Sequence, residues 1–242
     1  MTDTQTQPTQ PKRILGVFAH PDDPEFFCGA SFARWAAEGA EITFLLATSG
    51  DKGSSDPDMT HERLIAIREE EERSAARVLG VKEVIFLRYL DGELEHTLDL
   101  RRDITRIIRM KKPDIVVTLD PTTFWYGDRA INHPDHRAIG EATVSAIYPT
   151  ARDRLTFFEL FRDEGLEPHK VHQVYIAGTT TPNVKVDVTD YVETKIKSLY
   201  EHKSQIADME AMAARMRERI DPEAPLGQPR YVESFKVITF DR

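Results

Sequence analysis

Apolar and polar positions run along this chain in blocks whose lengths alternate between those of strands and helices. RILGVFA (13–19), EITFLLAT (41–48), EVIFL (83–87) and DIVVTLD (114–120) are short, nearly continuous apolar runs, the pattern of strands buried on both faces of a parallel sheet. Between them, 24–38, 60–79 and 98–110 read as helices, the first two stopped by Gly39 and Gly80. An alanine-rich helix follows HPDH (133–136) to about residue 148. This alternation predicts an α/β fold, a Rossmann-like three-layer sandwich with a mostly parallel sheet and helices on both faces. The C-terminal third is less regular: 171–178 and 184–188 look like strands, 190–219 like one helix, and YVESFKVITF closes the series. DPEAPLGQP (221–229) carries three prolines and is a loop. No internal repeat is found.

Two segments break the pattern where strands end. The first strand runs straight into AHPDDPEF, which places His20, Asp22, Asp23 and Glu25 within six positions. The fourth is followed by a polar, aromatic loop ending in HPDH. In a doubly wound sheet the order runs outward in both directions from the first strand, so strands one and four are neighbours at the switch point where ligands bind. The two segments should therefore meet. A nucleotide site would need a glycine-rich turn after the first strand to cradle phosphate, and none is present. Imidazoles and carboxylates suit a divalent cation better.

Composition narrows the chemistry. The 242 residues fit one large α/β domain or two small ones, and one is favoured. A net charge of −9 argues against a nucleic-acid or anionic-membrane partner and for a small molecule. Cys28 is the only cysteine, so neither an intrachain disulfide nor a thiolate cluster can form, and a metal must use histidine and carboxylate. The opening MTDTQTQPTQP lacks the order of a secretory signal, and no apolar run approaches the ~18 residues of a membrane span. The expectation is a disordered tail over 1–12 on a soluble, cytoplasmic protein.

AHPDDPEF and HPDH together resemble the paired signatures of the LmbE-like, or PIG-L, family of zinc-dependent N-acetylglucosamine deacetylases. IREEEERSAARVLGV (67–81), LDGEL (90–94) and HKSQ (202–205) are similar to further family segments. The resemblance implies a single deacetylase domain over 13–242, with His20, Asp23 and His136 holding Zn2+. That set agrees with catalytic zinc, which takes three protein ligands and keeps a fourth position for water. It implies that Asp22 is the general base, that His133 faces the substrate carbonyl as an imidazolium, and that Asp135 orients a histidine. Asp91 is implied to contact the sugar, and Arg68, on a helix similar to the family's Arg and Glu helix, is placed to hold sugar hydroxyls or a substrate anion.

Plainer readings stand beside these. Asp23 could cap the helix that opens at Pro24, Asp22 could be a solvated turn residue, and Asp135 could favour the first turn of its helix. REEEER is ordinarily a solvated charge run, although Arg68 falls on the apolar stripe of Leu64, Ile65, Ala75, Ala76 and Leu79. Asp91 before Gly92 is also a turn signal. Trp125 and Tyr126 could pack on a sugar face or form loop core. His61, His96, His169 and His172 read as surface or core histidines.

The implied partner is a small N-acetylated sugar, with homo-oligomerisation left open. The alternatives are an amidase of a thiol-sugar conjugate or antibiotic precursor, and a non-catalytic metal- or sugar-binding protein. Two histidines and one carboxylate would also accept Fe2+. The loops 49–60 and 121–132 would select substrate, and their sequence carries no code for it.

Overall fold

The structure, a computed structural model, describes residues 12–240; of the tail expected at 1–12, all but Lys12 lies outside the described residues. Strands β1 (Arg13–Phe18), β2 (Glu41–Thr48), β3 (Glu83–Tyr89) and β4 (Ile115–Leu119) fall on the four apolar runs. Helices α1 (Asp23–Ala37), α2 (His61–Leu79) and α3 (Leu98–Lys111) connect them. Local sequence sets the helix ends. Thr60 and Thr97 cap α2 and α3 by accepting the N–H groups of Arg63 and Leu100, and Gly80 ends α2 in the left-handed region at φ 80°.

The seven-stranded sheet has the order β3-β2-β1-β4-β7-β9-β8, where β7 is Gln173–Ala177, β8 Val184–Asp187 and β9 Val232–Thr239. β1 is parallel to both β2 and β4, β3 and β7 continue the parallel run, and β9 is antiparallel to β7 and β8. The switch point therefore lies between β1 and β4, as the alternation predicts. Right-handed crossovers put α1 and α2 on one face, joined there by α6 (Val192–Leu199), while α3 packs on the other face with α4 (Pro134–Ser145). The main core lies between these layers, and Leu15, Val17, Phe44, Leu45, Val116 and Val117 are fully buried in it.

The last third departs from the expected pattern. The helix expected over 190–219 is two helices, α6 and α7 (Met209–Arg217), separated by irregular chain that carries His202 inward. A second apolar cluster of Val188, Val192, Ile196, Leu199, Met212, Ala213 and Met216 fixes that corner. Before α4, the polar loop folds into a hairpin of β5 (Trp125–Tyr126) and β6 (Ala130–Ile131); beyond α4 come a single π-helical turn, Ala146–Thr150, and the short α5 (Phe158–Arg162). Strands of two residues and one helical turn are too short for periodicity to reveal. No helix among the described residues is long and apolar enough to cross a membrane.

Candidate active site

The chain leaves β1 at Phe18 and must turn sharply into α1. Asp22 makes that turn at φ 91°, a left-handed conformation costly for a residue with a Cβ. Its N–H donates to Glu72 Oε2 on α2 at 3.0 Å, and its Oδ2 accepts from Arg68 at 3.1 Å. The strained residue is thus held at both backbone and side chain. The turn also separates the two adjacent acids. Asp23 faces inward toward the histidines, whereas the Asp22 side chain keeps 18% of its exposure.

Asp23 lies between His20 and His136. Its Oδ2 is 3.4 Å from His20 Nδ1 and its Oδ1 is 3.0 Å from His136 Nε2. In both histidines the far nitrogen is occupied by the protein. His20 Nε2 lies 3.1 Å from Asp135 Oδ2 and 3.2 Å from Asp91 Oδ1, and His136 Nδ1 lies 2.9 Å from Asn132 Oδ1. These acceptors assign each outer nitrogen its proton, which leaves an unprotonated nitrogen facing Asp23 on each ring. Two lone pairs and a carboxylate within 4.8 Å of one another are a donor set fitted to a divalent cation. Without one, the same carboxylates act on a proton. Burial disfavours the charged ring, but Asp23, Asp135 and Asp91 outweigh it and push the His20 pKa up to about 12. For Asp23, burial is outweighed by His136 and His20, which hold its pKa well below the ordinary value.

The β4 side is built as tightly. Pro134 opens α4, and at Gly140 a Cβ would lie 2.3 Å from the Leu119 carbonyl oxygen, so only glycine lets the helix pass the end of β4 this closely. Asp135 is fully buried and accepts the N–H groups of Gly92 (2.7 Å) and Leu94 (3.3 Å), which ties α4 to the loop after β3. Asn132 is set by its own bond, its Nδ2 donating to the Thr123 carbonyl at 2.7 Å.

His133, expected as an imidazolium, is held differently. Its Nδ1 accepts the Asp135 N–H at 3.2 Å, which caps α4 and places the ring proton on Nε2. Burial, with His20 adding repulsion, lowers its pKa below the ordinary value, so the neutral ring is the favoured form. The ring is 42% exposed.

Arg68, read as a contact for the sugar or a substrate anion, is engaged within the protein. It is 4% exposed, with NH1 donating to the Gly50 carbonyl and NH2 to the Pro21 carbonyl as well as Asp22. Gly50, at φ 66°, is what admits it: a Cβ there would lie 2.0 Å from NH1. Asp91 faces His20 and accepts the Lys52 N–H at 3.2 Å, so it too is engaged within the protein. Trp125 is 66% exposed at the open end of the hairpin, paired with Ile131, which excludes the loop-core reading for it.

Sequence reasoning missed Asn132, although it stands one turn before His136, and it assigned no role to Glu25, Glu72 or His202. Glu72 lies one turn beyond Arg68 on the buried face of α2, a charged pair on an apolar stripe. That is the signal that could have found it.

A family model described as PIG-L, GlcNAc-PI de-N-acetylase, matches residues 15–147. The diacetylchitobiose deacetylase of Thermococcus kodakarensis is 32% identical over 197 residues, covering 81% of this chain and 71% of the relative. A probable N-acetyl-alpha-D-glucosaminyl L-malate deacetylase 2 of Bacillus anthracis is 31% identical over 202 residues, 81% of this chain and 82% of the relative. Among solved structures, the N,N'-diacetylchitobiose deacetylase of Pyrococcus horikoshii superposes with a TM-score of 0.81 at 30% identity, covering 95% of this chain and 85% of that one.

Proposed function

The chain belongs to the PIG-L family, and from that premise we propose that it is a zinc-dependent hydrolase that removes the acetyl group from an N-acetylglucosamine-type sugar or conjugate. His20, Asp23 and His136 would hold the metal through Nδ1, the carboxylate and Nε2. When bound, the cation would acidify a water molecule and polarise the acetamide carbonyl. Asp22 would take the proton of the attacking water and deliver it to the departing amine. Burial raises its pKa to about 6 against the pull of Arg68, which brings the group near neutrality, where a base can both accept and return a proton. His133 would donate its Nε2–H to the carbonyl oxygen as negative charge builds there. Asp135, Asp91 and Asn132 would orient the two histidines, and Arg68 would position Asp22 and leave the sugar to other groups.

One observation carries this reading: consecutive aspartates separate, one into the histidine pair and the other toward solvent on an arginine. A protein that only stored metal would have no use for the second. The test is amine release from a panel of N-acetylated sugars and conjugates by metal-quantified protein. Activity that follows metal content and is lost in Asp22→Asn is expected; no release from any N-acetylated member by metal-replete protein would remove the proposal and favour the binding-protein alternative. Release from thiol-sugar or antibiotic-type amides alone would keep the chemistry and change the substrate.

A further inference from the structure

Beside Asp22, whose N–H donates to Glu72, Glu25 of α1, Glu72 of α2 and His202 of the chain after α6 converge in a region closed to solvent; all three residues are fully buried. Five of their polar atoms lack a hydrogen-bond partner: both oxygens of Glu25, Oε1 of Glu72 and both nitrogens of His202. Buried polar atoms are nearly always satisfied, and five unsatisfied ones in one cluster require a missing partner. Of the cations nearby, Lys195 is paired with Glu233 and Arg68 with Asp22, and the buried Nε of Arg68 has no partner of its own.

The spacing indicates which partner. His202 Nε2 lies 3.4 Å from Glu25 Oε2 and 3.9 Å from Glu72 Oε2, and one donor atom from each residue falls within 4.8 Å of the others. Donors on a tetrahedron with bonds of ~2.0 Å stand about 3.3 Å apart. The 3.4 Å between His20 Nδ1 and Asp23 Oδ2 repeats that spacing in the first cluster. We propose that Glu25, Glu72 and His202 hold a second divalent cation, of the zinc or manganese kind, distinct from the one between His20, Asp23 and His136. Two carboxylates and an imidazole suit such ions, and the cation neutralises two acids that otherwise face each other in a dry interior. Its role is structural. It pins Glu72, whose Oε2 accepts the Asp22 N–H, and so supports the strained turn on which the proposed base sits.

The site is tested by counting and locating metal. Wild-type protein repleted with Zn2+ or Mn2+ and desalted is expected to carry two ions per chain, with two anomalous-scattering peaks in crystals measured at the metal edge. His136→Ala is expected to keep one ion, its peak among Glu25, Glu72 and His202, and His202→Gln to keep the other. If His202→Gln does not fold, the wild-type map still decides. A single wild-type peak among His20, Asp23 and His136 overturns the second site and leaves waters or shared protons as the missing partners. A single peak among Glu25, Glu72 and His202 keeps it and instead removes the metal on which the proposed function depends. No peak at either cluster overturns both.

Discussion

Asp22 and Asp23 have the same side chain and opposite surroundings, and one backbone angle separates them. Asn at position 23 should therefore empty the proposed metal site, while Asn at position 22 should leave metal content at the wild-type level and lower kcat by roughly 10² or more. Metal analysis and turnover measured side by side check this, and metal loss in Asp22→Asn with retention in Asp23→Asn would exchange the two assignments. For His133→Ala the expectation is full metal content and a kcat loss on the order of 10² to 10³, the range for a lost oxyanion donor. Its pH dependence separates a neutral donor from a charged one. The folded-state pKa of His133 lies below the ordinary 6.5, so the neutral ring predominates from there upward, and a bound cation nearby would lower it further. Activity should hold as pH rises from 6.5 toward 8. A decline over that interval that disappears in His133→Gln would restore the imidazolium.

At the scale of elements, the site depends on α4 passing close to β4. Gly140→Ala forces a methyl group against the Leu119 carbonyl and should cost about 1–3 kcal/mol, with weaker metal affinity because the displaced helix carries His136. Chemical denaturation and metal titration read the two effects separately. The parallel strands, their helices and the meeting of AHPDDPEF with HPDH were legible because burial on both faces leaves a continuous apolar run and because doubly wound topology fixes which loops adjoin. The break at residues 200–208 was not, since nothing local in HKSQ forbids a helix; what bends the chain there is His202 entering a cluster formed by residues more than a hundred positions away. The capping role of His133 was illegible for a similar reason. A capping bond to the Asp135 N–H is a property of backbone placement, and the letters HPDH are compatible with either charge state.

For the molecule as a whole, the proposed metal joins α1 to α4 across the switch point, so chelation should lower the unfolding free energy by that of the lost binding, and the melting temperature with it. Thermal unfolding with and without chelator measures it, and equal midpoints would mean that no tightly held ion was present. Acid acts elsewhere. Glu69 is buried, which disfavours its charge, but Arg88, Ser49 and Arg73 hold its pKa down to about 2. Its stabilising contribution is complete above the unfolded value near 4.5 and disappears as pH falls toward 2; Glu69→Gln should flatten the stability profile in that interval.

One further consequence lies in the order in which the chain is made. α1 is interrupted at Cys28, where φ is −152°, and the N–H groups of Ala30 and Ser31 beyond the break are taken by the Glu233 carboxylate at 3.3 and 2.7 Å. β9, which carries Glu233, also lies between β7 and β8 and, among the described residues, is the one strand that pairs with β8. On a ribosome adding ~5–20 residues per second, every proposed ligand of both clusters has been polymerised before β9 arrives. Until then the helix bearing Asp23 and Glu25 has two open amides and an exposed sheet edge beside it. A premature stop between residues 203 and 232 would therefore release a chain with all its proposed metal-binding residues and an unfinished helix to mount them on, a product for the quality-control proteases.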